Sequence, residues 1–259
     1  MNRHEVLALY DEQVRRRPEV DGPWVRVERT DGIVRVVSPD QGWRGVTWSD
    51  LDEVTADGTI AAQVARFAEI PGEWEWKYYS YDRPPHLPDR LLAAGFRPEP
   101  FEALMVAEVA DLQLDVPPPA GVRLLPVLDR QGIDALVTVH DEVFGGDLSW
   151  IGTVLTAALD QQPGAVAAVV AMAGEMPVGA GRVELPRQTE FAGMWGGGVV
   201  PAWRNRGVFR ALVAHRAALA AAAGFRYLQV DASADSLPIL RRLGFVELAT
   251  TTPFVHIQH

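Results

Sequence analysis

Val199-Val-Pro-Ala-Trp-Arg-Asn-Arg-Gly-Val-Phe-Arg-Ala-Leu212 is the stretch from which the rest of the chain can be read. Pro201 ends an apolar run, a short loop carries Arg204 and Arg206, and Gly207 opens an alanine-rich segment that predicts a helix ending before Gly224. The pattern is a strand, loop, helix unit. A helix N-terminus presents unpaired N–H groups and the positive end of the helix dipole, so it suits an anion, and Gly207 lets a phosphate come close. Arg206 adds charge-assisted hydrogen bonds. On spacing alone, a strand-to-helix turn with solvated arginines is an equal reading. The preceding strand, 191–200, contains Gly193 and Gly196-Gly-Gly198, and so many glycines in a strand mark a bulge or a close approach of ligand to backbone.

Outward from this unit the second half reads as a sequence of short elements. Residues 122–125 form a strand, 129–143 a helix stopped by Gly145-Gly146, and about 148–159 a helix ending before Gln161-Gln-Pro-Gly164. The small apolar run 165–171 suits a buried strand, and after the Gly174-Glu-Met-Pro177 turn, 178–185 completes a hairpin. Beyond the long helix come a strand at 227–230, the polar loop Asp231-Ala-Ser-Ala-Asp-Ser236, a short helix at 237–243 closed by Gly244-Phe245, and a last strand at 246–257. The order is strand, two helices, three antiparallel strands, helix, strand, helix, strand.

Of 259 residues, 48% are hydrophobic and 22% charged, which fits folded globular domains and excludes wholesale disorder. At about 100–150 residues per domain the length gives two modest domains or one large one. Three prolines in Val116-Pro-Pro-Pro-Ala-Gly121 fix an extended backbone, which places a boundary between 1–116 and 121–259. The absence of cysteine excludes thiol nucleophiles, iron–sulfur clusters and disulfides. The six histidines form no HExxH and no i, i+4 pair, so no metal is expected. No stretch has the apolar length of a membrane span or signal peptide, and a cytoplasmic protein is expected. A net charge of −10 argues against a nucleic-acid partner. The charge is concentrated in residues 1–120, with 13 basic and 22 acidic side chains, against 11 and 12 in 121–259.

Val200-Pro-Ala-Trp-Arg-Asn-Arg-Gly207, followed about forty residues on by Leu243-Gly-Phe245, resembles the GNAT superfamily of N-acetyltransferases over about 121–259. The resemblance implies a GNAT fold of the α/β (α+β) class, with a mixed, mostly antiparallel sheet flanked by helices, and acetyl-CoA as co-substrate. The family's phosphate loop is Gln or Arg, x, x, Gly, x, then Gly or Ala; Arg204 and Gly207 match, and Phe209 departs from it. By resemblance, amides of Asn205, Arg206, Gly207, Val208 and Phe209 hold the pyrophosphate, and Gly198, Val199 and Val200 pair with the pantetheine arm. A bulge opens a gap to the next strand, and an N–H near Val199 or Val200 polarises the thioester carbonyl. Ser233 and Ser236, where the family often has asparagine and a small residue, are further CoA contacts.

The tyrosine that serves the family as general acid, four residues before Gly244, is here Leu240. A thiol near the ~8.5 of cysteine releases its thiolate without strong acid help, and water or Tyr227 is the expected substitute. Glu184 is the candidate base, with a solvated strand-end charge as its competing reading; Glu190 reads as a turn residue. His140 with Asp141-Glu142 reads as surface at a helix end. His215 shares a stripe with Val208, Leu212 and Leu219 and reads as packed. His256 and His259 would serve as bases only if the C-terminus turned back toward the cleft. These readings imply direct transfer of an acetyl or short acyl group to a primary amine in a ternary complex. A non-catalytic acyl-CoA-binding or regulatory module is the alternative. The acceptor, small molecule or peptide, lies beyond the sequence because acceptor loops vary freely on one scaffold.

In the first half, 1–17 reads as a helix, 24–37 as strands split by Thr30-Asp-Gly32, 42–48 as a strand and 59–70 as a helix. Residues 74–81 and 101–109 read as strands. His86-Leu-Pro-Asp-Arg-Leu-Leu-Ala-Ala-Gly-Phe96 echoes Ser236-Leu-Pro-Ile-Leu-Arg-Arg-Leu-Gly-Phe245, which predicts a duplication of about 120 residues. The first copy has no phosphate loop and reads as a degenerate acetyltransferase-like domain with a structural role, its acidic residues favouring a cationic amine. A tandem chain supplies within itself a surface that single-domain relatives pair, so a monomer is expected and a dimer stays open.

Overall fold

The computed structural model describes residues 1–19, 25–30, 32–38, 42–161 and 164–258. Trp24 and Asp31 of the predicted hairpin, Gln162 and Pro163 of the predicted turn, and His259 lie outside them. No described helix is long and apolar enough to cross a membrane. Packing gathers the chain into two compact units that are not successive halves. One comprises Met1–Leu104, Asp231–Leu237 and Glu247–His259; the other comprises Met105–Val230 and Pro238–Val246.

The first unit begins with α1 (Arg3–Tyr10), capped by the Asn2 side chain and continued by a π-helical turn at Asp11–Arg15. There follow β1 (Arg26–Thr30), β2 (Ile33–Val37), β3 (Gly45–Ser49), α2 (Ala56–Phe67), β4 (Gly72–Tyr79), α3 (Leu87–Ala93), β5 (Arg97–Pro98) and β6 (Glu102–Glu108), whose last residues fall in the second unit. Alternation along β4 buries Trp74 and Trp76, and Trp74 stacks on Phe67 at 4.2 Å and meets Phe96 edge-on at 4.9 Å. This aromatic cluster with Ile33, Val46, Ile60 and Leu91 is the core of the unit.

The second unit contains β7 (Val122–Pro126), α4 (Arg130–Phe144), α5 (Ser149–Gln161), β8 (Val166–Ala173), β9 (Met176–Glu184), β10 (Phe191–Val199), α6 (Val208–Ala222), β11 (Tyr227–Ala232) and α7 (Leu237–Arg242), the last residues of β11 and the first of α7 falling in the first unit. Asp129 caps α4 by accepting from the Gly132 N–H at 2.9 Å, and Gly145 ends it with φ +77. The order of elements is the one the sequence predicts. β7, β8, β9 and β10 pair antiparallel in succession, and β10 pairs parallel with β11. The small residues of β8 and β9 let Leu136 and Val139 of α4 and Leu212 of α6 share one core with Val169, Val170 and Ala180. The chain closes with β12 (Val246–Gln258), which runs antiparallel to β4 from Thr251 opposite Tyr79 to Gln258 opposite Gly72. His256 therefore packs against Trp74 and Phe96 in the first unit.

Both units contain the same irregularity. In the second, β10 carries one extra residue between Trp195 and Gly198 against β9, and its pairing with β11 stops at Gly193 and Gln229. In the first, β3 carries the extra residue Thr47 against β2, and its parallel pairing with β4 stops at Val46 and Trp76. A bulge bends a strand away from its neighbour, so each unit opens a gap between a bulged strand and the parallel strand beside it. In the first unit Arg15 fills that opening. Its Nε donates to the Thr47 carbonyl at 3.0 Å, its Nη2 to Asp82 at 2.8 Å, and its guanidinium lies 3.9 Å from the Tyr79 ring centre. The Thr47 hydroxyl returns a bond to the Arg15 carbonyl at 2.8 Å.

Arg15 and Asp82 are both buried, so removing the cation alone strands a carboxylate in the core. Arg15→Met is expected to lower stability by about 3–5 kcal/mol in urea unfolding, and Arg15→Met with Asp82→Asn to recover a large part of that loss. Equal loss in the single and double variants would contradict this assignment.

Candidate functional site

The second unit's gap is built around Gly196. This residue sits at φ +58, and a Cβ on it would lie 2.7 Å from His140 Cε1, so only glycine fits. His140, fully buried on α4, has Nε2 2.8 Å from the Gly196 carbonyl. A carbonyl only accepts, so Nε2 carries the proton and Nδ1, buried with no hydrogen-bond partner among the described residues, holds the lone pair. Next along the strand, Gly197 faces Arg216 of α6, whose Nη2 would lie 2.9 Å from an added Cβ. Successive residues of a strand face opposite sides, so His140 and Arg216 press on the bulge from opposite faces of the sheet. Arg216 is buried and donates to the Leu212 carbonyl at 3.1 Å; burial, with Arg182 nearby, pushes its pKa down to about 10.

Beyond the bulge the amides alternate. The Val200 N–H donates to the Val178 carbonyl of β9 at 3.0 Å, so Val199, opposite Gly179, directs its N–H and C=O away from β9 toward the gap. Arg204 Nε donates to the Val199 carbonyl at 3.2 Å. Of the two amides the resemblance singles out to polarise a carbonyl, Val200 is committed to the sheet and Val199 is the one that faces the gap.

After Val200 a 3-10 turn, Pro201–Trp203, leads into the loop. Asn205 at φ +60 and Gly207 at φ +88 are both left-handed, which turns the chain sharply into α6. Among the described residues no side chain caps this helix, and the first intrahelical bond runs from the Ala211 N–H to the Gly207 carbonyl. The amides of its first turn therefore open outward, and an added Cβ at Gly207 would meet nothing within 4 Å. Arg206 lies 4.8 Å over the Trp203 ring, and Arg210 donates to Gln113 at 2.7 Å. Uncapped amides, a helix dipole and three arginines make this an electropositive, backbone-lined cradle. Phe209, the departure from the loop pattern, packs with Trp203 against the core, while Val208 is buried.

Gly198, Val199, Val200, Arg204, Asn205, Arg206, Gly207, Val208 and Phe209 are thus contiguous at the end of β10 and the start of α6. Ser233 and Ser236 form the turn after β11, in the first unit, where Ser236 Oγ donates to the Ser233 carbonyl at 3.2 Å. Glu184 and Tyr227 are not brought to Val199. Glu184 lies opposite Gly193, roughly 20 Å back along β10, and accepts from Arg182 Nε at 3.2 Å. Tyr227 lies opposite Phe191, stacked on its ring at 4.9 Å and buried. Sequence proximity to the cleft strands suggests Glu184, and Tyr227 is the expected substitute for the absent tyrosine; the register of β9 and β11 against β10 carries both to the far end. Leu240 is buried. His140, read from sequence as surface, is core: it falls on the same stripe of α4 as Ile133, Leu136 and Val139, and that stripe was its legible signal.

The fold has solved counterparts. A GCN5-related N-acetyltransferase from Kribbella flavida matches with a TM-score of 0.69 at 17% identity, covering 98% of this chain and 95% of that one. The chain has the GNAT fold. A GCN5-related N-acetyltransferase from Sphaerobacter thermophilus matches at TM-score 0.60 and 18% identity, over 90% of this chain and 82% of that one. A tandem GNAT protein from the clavulanic acid biosynthesis pathway matches at TM-score 0.60 and 12% identity, over 92% and 84%. No protein-family model and no curated protein matches the chain. At these identities the likeness is one of fold.

Burial, with the Arg182 and Arg216 charges, holds the His140 pKa below the usual histidine range, outweighing the Gly196 carbonyl and Asp141. Unfolded His140 therefore binds its proton at higher pH than folded His140, and the stability present above the ordinary histidine pKa is lost as pH falls through it. Urea midpoints measured from pH 7.5 to 5.5 should fall in the native protein and fall less in His140→Gln; identical pH profiles would refute this reading.

Proposed function

We propose that this protein is an N-acyltransferase that moves an acetyl or short acyl group from acyl-CoA to a primary amine by direct attack in a ternary complex. The observation that carries the reading is the Val199 amide facing an open strand gap, eight residues before the Gly207 start of a helix ringed by Arg204, Arg206 and Arg210. The amides of Gly207 to Phe209 suit the pyrophosphate of CoA, and the free edge of β10 suits its pantetheine arm as an added strand. The Val199 N–H is aimed where a thioester oxygen gains negative charge as the amine attacks. The amine attacks in its neutral form; the C–N bond forms, the C–S bond breaks, and the proton that the nitrogen gives up passes through water to the departing thiolate or to solvent, so no acid at Leu240 is needed. The net charge of −10 favours a cationic amine as acceptor.

The first unit we take to be a degenerate second copy with no acyl-CoA site, because its corresponding gap holds Arg15 and its sequence has no phosphate loop. A second reading, a non-catalytic acyl-CoA-binding module, is favoured by buried Leu240 and by the distance of Glu184 and Tyr227 from Val199.

Calorimetric titration should show one acetyl-CoA per chain, with binding lost in Gly207→Glu, whose carboxylate would face the phosphates. Absence of binding to the native protein would overturn both readings, and two equivalent sites would overturn the assignment of the first unit. Thiol release in the presence of a panel of amines then separates enzyme from module.

A further inference from the structure

We propose that His140 is a positioning residue for the thioester subsite: by holding the Gly196 carbonyl from the core it fixes the bulge that aims the Val199 amide into the gap. The inference rests on the acyl-CoA reading above and deepens it.

A strand with one extra residue can place that residue at more than one position, and a slip by one inverts which amides face the neighbouring strand. Here the choice is settled at Gly196. Its left-handed backbone turns its carbonyl toward α4, where the His140 Nε2–H meets it at 2.8 Å. The imidazole is fully buried, makes an edge contact with Phe144 at 5.4 Å, and leaves its Nδ1 without a hydrogen-bond partner among the described residues. A buried nitrogen with no partner is costly to keep, and a residue serving only to fill the core would be better replaced by an apolar one. What the imidazole supplies that an apolar side chain cannot is the N–H that holds the Gly196 carbonyl. Three and four residues later the alternation set there leaves Val199 to the gap and gives Val200 to β9. Arg216 braces the opposite face beside Gly197 and Gly181, so the bulge cannot relax toward α6 when the His140 bond is absent without moving a buried guanidinium.

The acyl group touches Val199, whereas the phosphates lie at the α6 start, so the two contacts separate in one titration. CoA and acetyl-CoA share every phosphate contact and differ at the thioester. In the native protein acetyl-CoA should bind about tenfold tighter than CoA, the worth of one good hydrogen bond. In His140→Met that ratio should fall to near one with the CoA Kd changed less than twofold, and in His140→Gln, which restores an N–H, most of it should return. A role confined to packing would weaken both ligands together or neither, and either result overturns the proposal. So does a native protein that binds CoA and acetyl-CoA alike, which leaves the acyl-CoA reading standing; a native protein that binds neither removes that reading first. Should the Met variant fail to fold, the native protein decides by long-range nitrogen NMR. The imidazole must be the Nε2–H tautomer and its Nε2 resonance must move on adding acetyl-CoA but not CoA; an Nδ1–H tautomer or an equal response to both overturns the proposal.

Discussion

One surplus residue in β10 constrains everything around it. A strand that pairs regularly on both sides has no free amides, and a ligand cannot join it. The extra residue between Trp195 and Gly198 keeps the β9 ladder on one side and ends the β11 ladder on the other after three residue pairs. The gap, the outward Val199 amide and the approach to α6 all follow from that break. So do the glycines: Gly196 admits the imidazole of His140, and Gly197 and Gly181 admit the guanidinium of Arg216. Two buried polar side chains on opposite faces of one sheet would be a liability in an ordinary core. Here each is bonded to main-chain carbonyls and bears on the irregular stretch.

The first unit shows what becomes of the same device when it is filled from within the chain. Thr47 is the extra residue of β3, and the parallel neighbour β4 parts from it after Val46 and Trp76. A cationic side chain from the N-terminal helical segment enters there, bonding the Thr47 carbonyl and pairing with buried Asp82. The two units thus share a backbone irregularity while differing in what occupies it. Backbone hydrogen-bond geometry tolerates side-chain change more readily than a phosphate loop, whose glycine and arginines are specific.

Much of this was legible from residues alone. The glycine cluster announced a bulge, the Arg204 to Gly207 spacing announced an electropositive helix start, and hydrophobic periodicity with Gly and Pro punctuation gave the order of elements. The Leu-Pro to Gly-Phe echo suggested a duplication; what the structure shows is a bulged strand beside a parallel one in each unit. These signals are local: turn chemistry, strand period and helix capping act over a few residues and are written where they act.

What the sequence could not supply depended on partners distant along the chain. Whether Val199 or Val200 faces the gap is decided by the register against β9, which rests on residues 178–184. Sequence alone puts Glu184 beside the cleft and offers Tyr227 as a substitute acid from strands whose bounds it gives but whose register it does not, and pairing opposite Gly193 and Phe191 carries both to the far end. His140 looked like surface in a run with Asp141 and Glu142, yet the helix turns it inward onto a glycine fifty-six residues away. The last strand, expected to complete the second half, packs with the first, where β4 offers it an antiparallel partner. Composition and local pattern determined which elements form and where an electropositive helix start lies. Tertiary register decided which amide faces the gap and which side chain holds it there, because hydrogen-bond direction in a sheet is a property of the pair and not of either strand.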